Sequence, residues 1–358
     1  MITGYGKAIA LSSRELIMRV FSLIPVVFVV FAASLALAND KNNPDTIQID
    51  GHLHTGAEIF GIADESSLTF NIYPLSDSEC VALRDSMRGP VMTDVVRVDT
   101  TSAGWTLVKY TLKDSAYRVF ERAERCYADK KYVDALVLYH YVYQLEPSYS
   151  QCLTLIGNTH YALAQYDSAI RYFEEETSRN AIDYQAHWFL GDALWMVGDS
   201  ARAIRELTVA HVLNRNHTGI LESLKWYREA VHRNWREWDY IPTYSLSRKD
   251  NTITIRVCSP WIGYALVKAI WKYEPRYAER MDPQADTSHL FNSLEEKEAL
   301  VSALPLIDAI TPITSIIEAG DIAGFLYYEV MAPKAPDAVW LLPGDVMNSM
   351  VDYVEKYH

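Results

Sequence analysis

The sequence predicts a predominantly α-helical protein. It is read as an α-solenoid of three helix-turn-helix units and a capping helix, set between a small N-terminal β-rich or α+β module and a mostly helical C-terminal domain. Two observations predict the solenoid. Small residues recur every 34 positions at Ala123, Gly157 and Gly191, and again at Ala135, Ala169 and Ala203. A bulky series, Tyr139, Phe173 and Leu207, keeps the same interval. A fixed period of that length marks a helical repeat, and small residues on facing helices let the axes cross closely. A third observation concerns the flanks. Short alternating runs between Gly, Asp, Ser and Pro clusters precede the repeats, and helically spaced apolar residues follow them. The expected boundaries are 1–38, 39–113, 114–233 and 234–358.

The first segment reads as a targeting sequence. Val20 to Ala38 is an apolar run behind Arg14 and Arg19, and it ends Ala36-Leu37-Ala38 before Asn39-Asp40, the pattern of a secretory signal peptide with a small-residue cleavage site. Met18 is a second candidate start, with Met18-Arg19 as a short basic leader. The competing reading is an uncleaved anchor helix, because the run is long enough to span a bilayer. Pro25, Ala32, Ala33 and Ser34 favour cleavage. The expected location is therefore periplasmic or secreted, with no membrane insertion after cleavage. Removing residues 1–38 takes Lys7, Arg14, Arg19 and Glu15 from 33 basic and 46 acidic residues, leaving 30 and 45, a net charge of −15. Nucleic acid is excluded as a partner, since its phosphates need a basic surface.

Residues 39–113 carry strand signals at Thr46–Ile49, Leu68–Tyr73, Val95–Val98 and Trp105–Tyr110. The repeats follow. The stretch Ile156-Gly157-Asn158-Thr159-His160-Tyr161 through Tyr166-Asp167-Ser168-Ala169-Ile170-Arg171-Tyr172-Phe173 closely resembles a tetratricopeptide repeat (TPR). Leu190-Gly191-Asp192-Ala193-Leu194, with Gly198-Asp199 in the turn, makes the third unit similar. The first unit has Arg122-Ala123 in place of Leu-Gly but keeps Ala135, Tyr139 and Pro147. The resemblance covers residues 116–217. Thr218 to Arg233 reads as the closing helix, with Ile220, Leu224, Tyr227 and Val231 at helical spacing, because a terminal unit needs its apolar face covered. Beyond an aromatic connector, Trp235 to Ile241, the pattern predicts a strand at Thr252–Val257. Helices are expected at Trp261–Tyr273, Ser293–Ala303, Ile322–Met331 and Gly344–Tyr357, broken at Pro275, Pro305, Pro312 and Pro333.

Four cysteines, Cys80, Cys126, Cys152 and Cys258, raise the question of disulfides in an exported chain. Repeat register displaces Cys126 from Cys152 by about 12 Å along neighbouring helices, beyond the roughly 7 Å that a bridge allows. Cys80–Cys258 and four buried thiols both remain open.

The TPR resemblance implies a binding scaffold in which the first helices of successive units line a groove. Carried onto this chain, the facing positions are Phe120, Glu124 and Tyr127, then Thr154, Asn158 and Tyr161, then Trp188, Asp192 and Trp195. Tyr127, Tyr161 and Trp195 form an aromatic ladder that either contacts a partner or packs against neighbouring helices. TPR proteins that clamp a terminal carboxylate do so with Lys, Arg and Asn; here Asn158 alone matches, and Glu124 and Asp192 are acidic. The resemblance therefore implies a protein or peptide partner that is neutral or basic, and no cofactor. Trp226, Tyr227, Trp235, Trp238 and Tyr240 are read as the core between cap helix and C-terminal domain, or else as a second sticky surface or sugar platform.

Catalytic signals are weak. His52-x-His54 resembles the opening motif of metal-dependent amidohydrolases, but that fold needs about 250 residues of βα units where the repeats begin, so no metal site is assigned. No His-Glu-x-x-His, G-x-S-x-G or phosphate-cradling glycine loop occurs. Glu174-Glu175-Glu176 and Glu295-Glu296-Lys297-Glu298 read as solvated helix faces. The expected function is an exported, non-catalytic adaptor. A hydrolase or ligand-binding protein, with its site in the C-terminal domain or at the junction with the repeats, is the alternative; self-assembly is a third.

Overall fold

The computed structural model describes residues 53–101, 104–238, 240–283, 291–307 and 313–358. The signal segment, the strand expected at Thr46–Ile49 and His52 lie outside them. The elements run α1 Gly56–Glu65, β1 Thr69–Pro74, α2 Asp77–Ser86, β2 Val96–Thr101 and β3 Gly104–Lys109. Seven helices follow: α3 Asp114–Ala128, α4 Tyr132–Leu145, α5 Gln151–Ala162, α6 Tyr166–Arg179, α7 Tyr184–Met196, α8 Ser200–Leu213 and α9 Thr218–Ala230. Then come β4 Tyr244–Lys249, β5 Thr252–Val257, α10 Ile262–Tyr273, α11 Tyr277–Met281, α12 Ser293–Ile307, α13 Ile313–Glu318, α14 Ile322–Phe325 and α15 Gly344–Tyr357. A π-helical turn covers Leu326–Met331 and a 3-10 turn Pro336–Leu341. No helix among the described residues is long and apolar enough to cross a membrane.

The described residues form two compact units that divide the chain differently from the sequence boundaries: residues 53–87 with 238–322, and residues 88–237 with 323–358. The reason in the first unit is a strand pairing that local sequence cannot reveal. β1 pairs in parallel with β5, Thr69 opposite Thr252 and Pro74 opposite Val257, and β4 pairs antiparallel on the other edge of β5. The alternation Thr252-Ile253-Thr254-Ile255-Arg256-Val257 buries Ile253, Ile255 and Val257 on one face. Helix α10 packs on β5 and against α1 and α12. Gly263 permits the α10–α12 crossing, because a Cβ there would lie 2.5 Å from the Ser302 carbonyl oxygen. Cys80 and Cys258 are bridged with a Cα–Cα separation of 5.8 Å, which ties α2 to the end of β5. Cys126 and Cys152 are free thiols.

The second unit is built on the helical array, and its register is stricter than the small-residue pattern. The second helices start at 132, 166 and 200, and the first helices end at 128, 162, 196 and 230, all 34 apart. Each hairpin turns through a left-handed residue: Lys130 (φ 61°), Ala164 (56°) and Gly198 (90°); His232 (59°) follows α9 in the same place. Helix α9 thus stands in register as the first helix of a fourth unit as well as closing the third. The close crossings fall where small residues were expected. A Cβ on Gly157 would lie 2.6 Å from Phe173 Cε1, and one on Gly191 would lie 2.9 Å from Leu207 Cγ.

The rest of the second unit packs onto the last second helix. Helix α15 and the 3-10 turn lie against α8, where Arg205 pairs with Asp352 at 2.7 Å and Glu355 at 2.8 Å. Val95, Val96, Leu213 and Trp340 share one buried cluster, which joins the β2–β3 hairpin to the array. Buried Glu329, in the π-helical turn, accepts from Tyr353 Oη at 3.1 Å and Arg215 at 3.3 Å, and is held at 2.6 Å by His358 Nε2. The last 36 residues therefore belong with the array unit.

Two further expectations are corrected. The acidic runs are only partly solvated: Glu176, Glu296 and Glu298 are buried. Glu298 pairs with His54 Nδ1 at 2.6 Å and accepts from Trp271 Nε1 and Tyr277 Oη; Glu296 meets Lys268 at 2.9 Å. Local charge runs do not report such burial, because the partners lie far away in sequence. Two helices, α1 and α2, and strand β4 were not anticipated; β4 reaches β5 through the two-residue turn Asp250-Asn251, with Asp250 in the left-handed region at φ 53°.

Candidate partner-binding surface

The nine positions expected to face a groove fall into three rows across α3, α5 and α7, and each row makes different contacts. The first row, Phe120, Thr154 and Trp188, makes the joints between units. Phe120 meets Tyr149 edge-on at 6.1 Å, Thr154 Oγ1 donates to Asp183 Oδ2 at 3.2 Å, and Trp188 meets His217 edge-on at 5.2 Å. Tyr149, Asp183 and His217 are themselves 34 apart and precede the next first helix. Asp183 also caps α7 by accepting from the Gln185 and Ala186 amides, and His217 caps α9 by accepting from the Ile220 amide. Thr154 is 1% exposed, so it serves the interior and is corrected as a partner contact.

The second row is polar and open. Glu124 is exposed and accepts from Tyr139 Oη. Asp192, half-buried, accepts from Tyr227 Oη at 2.7 Å, and burial pushes its carboxyl above the ordinary range. Asn158 is half-buried and makes no side-chain hydrogen bond to another described residue. The third row is the aromatic ladder. Tyr127 meets Tyr132 at 5.4 Å and Tyr161 meets Tyr166 at 5.3 Å, both edge-on at nearly equal angles, so each ring is braced within its own hairpin. Trp195 has no such partner on α8. It stacks on Tyr227 of α9 at 4.3 Å, with Trp226 at 5.6 Å. All three ladder rings are half-buried, and burial raises the Tyr127 and Tyr161 hydroxyl pKa values.

The aromatic cluster near residue 230 separates. Tyr227 is buried at 9% exposure, whereas Trp226 is 57% exposed, so the expectation of a common core does not hold for Trp226. The sequence reading did not foresee the contact of Trp226 and Tyr227 with Trp195, because it ended the repeats at the third unit.

Elsewhere, a polar centre inside the array was missed. Glu176 accepts from Ser150 Oγ at 3.1 Å, near the Tyr110 hydroxyl, while its other oxygen is buried without a partner. Burial, with the Asp183 carboxylate nearby, raises its pKa to about 8. The His54 ring, half of the expected His-x-His pair, is engaged by Glu298 and Tyr277. No group of three or more His, Cys, Asp or Glu side chains converges as a metal site among the described residues.

No family model matches the chain, and no curated protein matches it. Several solved structures are similar to it in part. The first TPR domain of Spaghetti (RPAP3), bound to an HSP90 peptide, is 16% identical, covering 34% of this chain and 97% of its own, with a TM-score of 0.32. The Yersinia enterocolitica type III secretion chaperone SycD, in complex with a peptide of the translocator YopD, is 21% identical, covering 33% and 96%, with a TM-score of 0.32. MamA is 13% identical, covering 59% and 94%, with a TM-score of 0.31. The period of the chain's own helices, left-handed turns and inter-unit joints makes residues 114–230 a TPR-like array.

Proposed function

We propose that this chain is a non-catalytic scaffold or adaptor whose TPR-like array holds a peptide, or a segment of a partner protein, along the first-helix face. One observation carries this reading. Half-buried rings, Tyr127, Tyr161 and Trp195, stand beside polar groups, exposed Glu124 and half-buried Asn158 and Asp192, on the three first helices α3, α5 and α7. Braced aromatic anchors next to hydrogen-bonding side chains are what peptide recognition requires, and the bracing lowers the entropy lost on binding. The carboxylates of Glu124 and Asp192 favour a neutral or basic segment. Phe120 and Trp188 form the floor of the same face and act through packing.

The chain is also proposed to be exported, to the periplasm or the exterior, with residues 1–38 as a cleaved signal peptide. The Cys80–Cys258 bridge supports this, because such bonds persist in oxidising compartments. N-terminal sequencing of the protein from its native source tests it: a start at Asn39 is expected, and a retained apolar segment overturns cleavage.

The binding reading is tested by affinity capture with wild type beside Tyr127→Ala, Tyr161→Ala and Asn158→Arg, each checked for a native melting curve. Trp195→Ala is a poorer probe, since it also removes the stack on Tyr227. A protein retained by wild type and lost from these variants supports the reading. Equal retention by all of them overturns it.

A further inference from the structure

Because α9 keeps the register of the first helices, the three rows extend onto it. Adding 34 to Trp188, Asp192 and Trp195 gives Glu222, Trp226 and Glu229. All three are exposed, and spacings of four and three residues put them on one helix face. They are more open than their counterparts on α7, because the chain makes no further unit for them to join: the left-handed residue His232 is followed by an irregular segment rather than a second helix. Trp226 lies 5.0 Å from Tyr227 and 5.6 Å from Trp195, centroid to centroid. The Asp192 carboxylate accepts from the Tyr227 hydroxyl at 2.7 Å. Two cations of α9 are turned to other tasks, Lys225 pairing with Glu237 at 3.0 Å and buried Arg228 lying over Trp235, while Arg233 beyond the helix is exposed.

We infer that α9 is the terminal rung of the groove, and that Trp226, with Trp195 and the carboxylates of Asp192, Glu222 and Glu229, forms a subsite for a cationic side chain, Arg or Lys, of the bound segment. This inference rests on the proposed peptide-binding reading and adds the chemistry of one anchor. An exposed indole face attracts a guanidinium or ammonium through its quadrupole, and carboxylates on either side complete the charge match. The planar guanidinium suits the site better, because it stacks on the ring while its edge donates to carboxylates.

The test is selection of binders from a random 12-residue peptide library on the full chain, followed by titration of one selected peptide and its Arg/Lys→Gln version. Expected are enrichment of Arg and Lys at one position, about tenfold weaker binding by Trp226→Ala and by the Gln peptide, and a smaller loss for Glu222→Gln with Glu229→Gln. These residues are exposed, so their variants should melt as wild type does. Peptides that lack a basic position and bind Trp226→Ala unchanged, while Tyr161→Ala abolishes binding, would overturn the subsite and leave the groove standing. Failure to select any peptide would overturn both. Concentration-dependent dimers lost in Trp226→Ala would make this face a contact between copies of the chain and overturn the inference.

Discussion

Ala164 stands where the next repeat has a glycine, and its φ of 56° is a conformation that costs an L-residue about 1 kcal/mol or more. Relief of that strain exceeds the extra entropy glycine loses on folding, so Ala164→Gly is expected to raise stability by about 0.5 kcal/mol. Gly198→Ala should lower it by about 1 kcal/mol; urea midpoints check both. Glu176 gives a pH signature. Its folded pKa, raised to about 8 by burial, lies above the unfolded value, so the folded state binds the extra proton. The contribution of this one carboxyl to stability should be complete below the ordinary carboxyl range and fall as pH rises towards 8, by no more than about 1.4 kcal/mol per pH unit, whereas Glu329, whose pKa is lowered, acts the other way at acid pH. Glu176→Gln should flatten that decline, read from melting midpoints at pH 5 to 8.5, whereas an unchanged slope would show that the carboxyl does not cause it. None of this was legible in Glu174-Glu175-Glu176, because a helix face reveals charge but not which carboxyl meets Ser150 and Tyr110 across the fold. The small residues were legible, since Gly157 and Gly191 report a crossing that any larger side chain would obstruct.

At the scale of elements, the second helices were readable because period, small residues and turn positions agree on their register. Strand β5 was readable from its alternation, and its parallel partner β1 was not, since pairing across the sequence from residue 69 to 252 leaves no local mark. Helix α9 was recognised as a closing helix, but its equivalence to a first helix became visible only through the His232 turn. The α5–α6 crossing yields a sharp prediction. Gly157→Ala places a methyl 2.6 Å from the Phe173 ring, which is fully buried, so it should cost about 1–3 kcal/mol by forcing the hairpin apart. Thermal melting reads the loss, and Phe173→Leu in the same chain should recover part of it by vacating the contact.

For the whole molecule, the disulfide and the array stabilise different units. Cys80 and Cys258 lie 178 residues apart in sequence and hold α2 to β5. Cys258→Ser should therefore destabilise the first unit by about 2–4 kcal/mol, leaving helix protection in α3 to α9 unchanged under hydrogen exchange. The central claim concerns which face of the array meets a partner, and a rival face exists: Val133, Val137 and Tyr141 on α4 are 65%, 65% and 49% exposed. The most direct measurement is site-specific photo-crosslinking in the native source, with a benzophenone side chain at Asn158 in one variant and at Val137 in another. The account predicts one discrete adduct from position 158 and none from position 137. An adduct from 137 alone would contradict it and move the partner to the outer face of the first unit.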